Sequence, residues 1–79
     1  MIYLVGRKHA DAILAIARQD ENAKVVLMHE GVYLPTPGLR DIYALKADVD
    51  RAGVRPMATV IDDAALITLV LENKVISHL

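Results

Sequence analysis

Lys24-Val25-Val26-Leu27-Met28-His29-Glu30-Gly31-Val32-Tyr33 is the stretch that decides the fold class of this chain. Residues 25–28 offer no polar side chain to water, the pattern of a parallel strand covered on both faces, and the run stops at two ionisable residues and a glycine. Gly31 is read as the residue whose freedom to take positive φ turns the backbone. In open α/β sheets the carboxyl ends of strands are where ligands bind, so this turn is a candidate site.

Outward from it, apolar runs alternate with helix-period segments. Ile2 to Val5 is short, branched and closed by Gly6, a first strand. Across residues 8–18, Ala10, Ile13, Leu14 and Ala17 recur at the spacing of one apolar helical face, leaving His9, Asp11 and Arg18 toward solvent. Residues 24–28 form the second strand; the loop Leu34-Pro35-Thr36-Pro37-Gly38 then restricts φ at two prolines and leaves no room for a long helix. Residues 42–45 read as a third strand and 46–52 as a two-turn helix, with Asp48 three residues before Arg51 and Gly53 just past its end. Residues 57–61 make a fourth strand. Asp62-Asp63 supplies a cap and a favourable charge for a final helix over 63–72 with Ala64, Ile67, Val70 and Leu71 as its apolar face, and 75–79 add a short edge strand. Met28 and Met57 read as core filler.

This succession predicts a small single-domain α/β fold over 1–79: an open parallel sheet of four strands in order 2-1-3-4, a short fifth at its edge, helices on both faces. With the first strand central, the crevice falls between the ends following Val5 and Leu45, flanked by those following Met28 and Ile61. It collects Arg7, His9, His29, Glu30, Lys46, Asp62 and Asp63.

Composition limits what such a crevice does. With 79 residues the domain buries only roughly 60% of its unfolded surface. Yet 54% of its residues are apolar, which points to a subunit interface, a homo-oligomer or contact with other chains. Nine Lys plus Arg against ten Asp plus Glu give a net charge of -1, without the basic footprint of nucleic-acid binding. The apolar runs fall short of the roughly 20 residues of a membrane helix, and the first residues lack a secretory pattern, so a cytoplasmic protein is expected. With no cysteine there is no disulfide, thiolate ligand or cysteine nucleophile.

The candidate residues carry no catalytic signature. His29 beside Glu30 suggests a carboxylate-oriented imidazole, but strand neighbours point to opposite faces, which favours a structural or simple surface role. Arg7 and His9 at a helix start could touch an anion, with Lys46 as a third cation, or could simply be solvated. Only Gly6 lies in the first turn, so no nucleotide-binding pattern exists. Helix capping accounts for Asp62-Asp63 more simply than a metal or phospho-acceptor does, and histidines at 9, 29 and 78 have no metal-ligand spacing. No metal, no cofactor and no catalytic residue are therefore assigned. Tyr33, beside Leu34 and Pro35, reads either as an anchor for a partner or as part of a loop packed on itself.

Three blocks resemble the DsrH/TusB family of the DsrE/DsrF/DsrH superfamily, small subunits of sulfur-relay complexes. The first is the hydrophobic strand and acidic-Gly-Val turn from Val25 through Glu30-Gly31-Val32-Tyr33. The second is Ile42-Tyr43-Ala44-Leu45-Lys46-Ala47-Asp48 continuing through Arg51-Ala52-Gly53. The third is Val60-Ile61-Asp62 with the apolar final helix and the ending Val75-Ile76-Ser77-His78, where relatives often carry an aromatic in place of His78.

The resemblance implies a non-catalytic subunit of a sulfurtransferase assembly, serving tRNA 2-thiouridine formation or dissimilatory sulfur transfer. Its implied partners are DsrE/TusD-like and DsrF/TusC-like subunits, the former carrying the sulfur on cysteine. Where some relatives have a cysteine this chain has Asp20, which cannot hold a persulfide. Glu30, Gly31 and Tyr33 are then expected to serve assembly. The alternative is a stand-alone module binding a small anion through Arg7, His9 and Lys46. An enzyme built on His29, Glu30 and Lys46 would lack a nucleophile and a cofactor motif.

Overall fold

The computed structural model describes residues 1–7, 10–33 and 39–78, with His78 described by its backbone alone. The apolar runs form parallel strands and the helix-period segments form helices: β1 (Ile2–Val5), α1 (Ala10–Arg18), β2 (Lys24–Leu27), a 3-10 turn (His29–Tyr33), β3 (Asp41–Leu45), α2 (Lys46–Ala52), β4 (Thr59–Ile61), α3 (Asp63–Glu72) and β5 (Val75–His78). The expected start of the first helix at Lys8 and His9, and the loop Leu34 to Gly38, lie outside the described residues.

The sheet has five strands in order β4-β3-β2-β1-β5, all parallel. This corrects the expected order 2-1-3-4: β2, not β1, is central, and β3 pairs with β2 from Lys24↔Asp41 to Leu27↔Ala44. The reason lies in the connections. To reach the far side of β1, the chain after β2 would have to cross the sheet, and the described part of that connection is one tight turn. β3 therefore takes the nearest free edge. The long return is made by α3, about 15 Å of helix, and it carries the chain back over the sheet to the other edge of β1, where Ile2 N–H donates to the Lys74 carbonyl at 2.7 Å.

Steps from β1 through β4 all run one way, so right-handed crossovers place α1 and α2 on one face and α3 on the other. On the first face Tyr3, Val5, Val25, Leu27 and Ala44 close with Ala10, Ile13, Leu14, Ala17 of α1 and Val49 of α2 into one buried cluster. The predicted apolar face of α1 is thus its buried face. The second face carries the strand residues of opposite parity, including Ile2 and Val26, both fully buried.

On α3 the expected face does not hold. The half-buried side is Ala65, Leu66, Leu69 and Val70, while Ala64, Ile67 and Leu71 stand exposed. This helix is apolar nearly all round, so its own periodicity selects no face and docking on the sheet does. Met57 is likewise not core filler: it lies ahead of the short edge strand β4 and is 92% exposed. Two local expectations hold without change. Asp62 caps α3, its Oδ1 accepting the Ala65 N–H at 2.8 Å, and Gly53 ends α2 at φ 68° with its N–H on the Val49 carbonyl. No helix among the described residues is long and apolar enough to cross a membrane.

Candidate functional site

The site at the end of β2 is assembled from three separate parts of the chain. The ladder continues one residue beyond β2, Met28 N–H donating to the Val5 carbonyl at 2.9 Å, and then the backbone turns left-handed at His29, φ 54°. For a residue with a β-carbon this conformation costs about 1–2 kcal/mol. It is held by Asp48, whose Oδ2 accepts the His29 N–H at 2.8 Å. Asp48 sits in the first turn of α2, is 5% exposed, and its other oxygen takes the Arg51 guanidinium. A buried carboxylate with both oxygens engaged forms strong, charge-assisted bonds, which offset the strain at His29.

Gly31 closes the turn, its N–H on the Met28 carbonyl at 2.8 Å. Its role differs from the expected one. The positive φ belongs to His29, and Gly31 is required because a β-carbon there would overlap the Val5 carbonyl oxygen and come within 3.2 Å of Gly6 Cα. Two backbones pack where a side chain has no room. Val32 is buried beneath, and Tyr33 is exposed with its hydroxyl 3.5 Å from the Ala52 carbonyl.

On this frame Arg7 reaches Glu30 at 3.4 Å, an exposed ion pair worth about 0–1 kcal/mol. His29 and Glu30 are both exposed on the 3-10 turn instead of on opposite faces of a strand. Lys46 does not join them. It opens α2 after β3, which β2 separates from β1, so the crevice expected between the ends of β1 and β3 does not exist. Lys46 pairs with Asp50 at 2.8 Å, which raises its pKa, and faces Asp62 and Asp63 across a depression of about 250 Å³. That surface is acidic overall and poorly suited to an anion. Of the proposed anion set, His9 lies outside the described residues, and Arg7 and Lys46 stand apart, each opposite a carboxylate. Among the described residues no cluster of three His, Asp or Glu side chains is placed to hold a metal ion.

Asp20 is at the other end of the sheet. It follows α1 and precedes β2, accepting the Asn22 N–H at 3.0 Å and lying 3.5 Å from the Tyr3 hydroxyl, whose pKa rises through burial and this neighbouring charge. A cleft of about 270 Å³ opens there between Asp20, Arg18, Arg40 and Asp41. Asp20 is thus remote from the Glu30 turn.

Asp48 is the residue that sequence reasoning missed as part of this site. Its signal was present: Leu45, Asp48, Val49 and Ala52 share one helical face, and a lone carboxylate in that apolar stripe must find partners or carry a desolvation cost. No known family model matches the chain, and no curated protein matches it.

Proposed function

We propose that this chain is a non-catalytic, cytoplasmic subunit of a sulfur-relay assembly, presenting the His29–Tyr33 turn to a sulfur-carrying partner. The reading rests on the DsrH/TusB-like blocks of sequence and, above all, on the construction of that turn. Its supports, Asp48, Gly31 and Val32, are buried, while Glu30 and Tyr33 are displayed outward on a pinned backbone. A rigid turn with an exposed aromatic ring and an acidic neighbour suits docking, because little conformational freedom is lost on contact. Since the chain has no cysteine, sulfane sulfur would travel on the partner's thiolate. The downstream acceptor would be tRNA, for 2-thiouridine, or a dissimilatory sulfur carrier.

Co-expression with DsrE/TusD-like and DsrF/TusC-like subunits, followed by affinity capture and intact-mass analysis after cysteine desulfurase and labelled cysteine, tests this. A stable complex with label on the partner's cysteine alone is expected. Failure to associate with either subunit class, or a sulfur adduct on this chain, would sink the proposal.

A further inference from the structure

The outer face of α3 has no function in the fold. A helix that covers one face of a sheet needs one apolar side, and Ala65, Leu66, Leu69 and Val70 provide it. The opposite side is also uncharged along its centre: Ala64, Ile67, Thr68 and Leu71 follow the i, i+3, i+4, i+7 spacing, with Ile67 58% and Leu71 81% exposed. Charged residues stand only at the margins, Asp63 in the first turn, Glu72 off the stripe by about a quarter turn, and Lys74 just past the end.

We infer that this stripe is a self-association surface, on which α3 packs against α3 of a second copy, antiparallel about a two-fold axis. Three features select a second copy. A charge-free stripe meets its own image without repulsion. Antiparallel pairing brings the Asp63 end of each helix to the Lys74 end of the other, twice by symmetry. It also sets the positive end of each helix dipole beside the negative end of its neighbour. Size limits the strength. A helix of about 15 Å buries well below the roughly 800 Å² per partner of a standard interface, so the dimer is a weak one in exchange with monomer. This contact is independent of the proposed relay role, since it uses neither Glu30 nor Tyr33.

The midpoint of the stripe falls between Ile67 and Thr68, so in such a pair these residues meet their own copies at the axis. Sedimentation of the full chain from low micromolar to millimolar concentration should show a monomer–dimer equilibrium. Ile67→Glu, which sets two carboxylates face to face while favouring helix, should weaken it by roughly tenfold or more with the melting temperature preserved. The chain lacks cysteine, so Thr68→Cys forms only inter-chain disulfides under mild oxidation. Ile16→Cys, on the exposed side of α1, is the control and should remain single-chain. A monomer at every concentration, a dimer that Ile67→Glu leaves intact, or equal cross-linking of both cysteine variants would each overturn the inference. If Ile67→Glu does not fold, the cysteine pair decides. Binding of α3 to lipid vesicles by a chain that stays monomeric would also reject the second copy.

Discussion

The Asp48 carboxylate accepts the main-chain N–H of His29 at 2.8 Å, joining the first turn of α2 to the left-handed residue that ends β2. The carboxylate is buried, Arg51 closes its far side, and the strained residue sits at the base of the displayed turn. Position and strain are thus coupled through one side chain. Loosening Asp48 should loosen Glu30 and Tyr33 without touching either.

Asp48→Ala removes both bonds and leaves the His29 N–H without its acceptor, and it should destabilise the domain by about 1–3 kcal/mol. Asp48→Asn keeps an acceptor oxygen and should cost less. Urea unfolding of the two variants measures the difference; an Ala variant within about 0.5 kcal/mol of wild type would refute the role.

Gly31→Ala should destabilise by about 1–3 kcal/mol, although alanine restricts the unfolded chain and on that account alone would stabilise. The added methyl meets the Val5 carbonyl, a strand backbone atom that cannot swing away as a side chain can. Equal or greater stability in thermal melts would show that the turn and β1 separate easily.

His29→Gly relieves the left-handed conformation and should leave stability unchanged or raise it by up to about 1 kcal/mol, whereas His29→Val should lower it. Denaturant midpoints at one pH order the three chains as Gly, His, Val. The reverse order would place the strain elsewhere.

Lys24 and Asp41 pair at 2.8 Å across β2 and β3, each partly exposed, with the Lys24 ammonium 5.9 Å from the Tyr43 ring centroid. Hydrogen bonding to Lys24 lowers the Asp41 pKa below its ordinary 3.8, and bonding to Asp41 raises Lys24 above 10.5. The pair's stabilisation is therefore complete between those values. It is lost in acid as Asp41 takes up its proton through the lowered folded pKa, and in base as Lys24 gives up its own through the raised one. Lys24→Met should cost about 0.2–1 kcal/mol near pH 7, less in high salt, with the pair's share disappearing as acid protonates Asp41 below its ordinary range. A difference that persists undiminished in acid would assign the effect to the Tyr43 contact.

Tyr33→Ala should change folding by less than about 0.5 kcal/mol, since the ring is exposed, while weakening capture by a DsrE-like partner by up to about 2 kcal/mol. Paired melts and binding titrations separate the two. Unchanged partner affinity would remove Tyr33 from the docking surface.

Much of the candidate site was legible in the sequence as residue types and not as geometry. The run 25–28 ending in His29, Glu30 and Gly31 correctly marked a backbone turn at a strand end. Reading Lys46 into the same site failed, because its place depended on which strand lies beside β1. Glycine at 31 was correctly seen as necessary, but for a torsion that His29 adopts instead.

Sequence alone determined the α/β class, the alternation of elements, the buried face of α1, the Asp62 cap and the Gly53 stop. Each of these rests on residues within a few positions of one another, where periodicity, capping and backbone freedom act directly. Only the tertiary structure decided the order β4-β3-β2-β1-β5, the docked side of α3, and the reason for Gly31. These depend on what a distant segment presents: the free edge that a short connection can reach, the sheet face available to a helix apolar on every side, and the Val5 carbonyl standing where a β-carbon would go. A carboxylate in α2 holds a strained residue beyond β2 because β3, paired to β2, delivers it there.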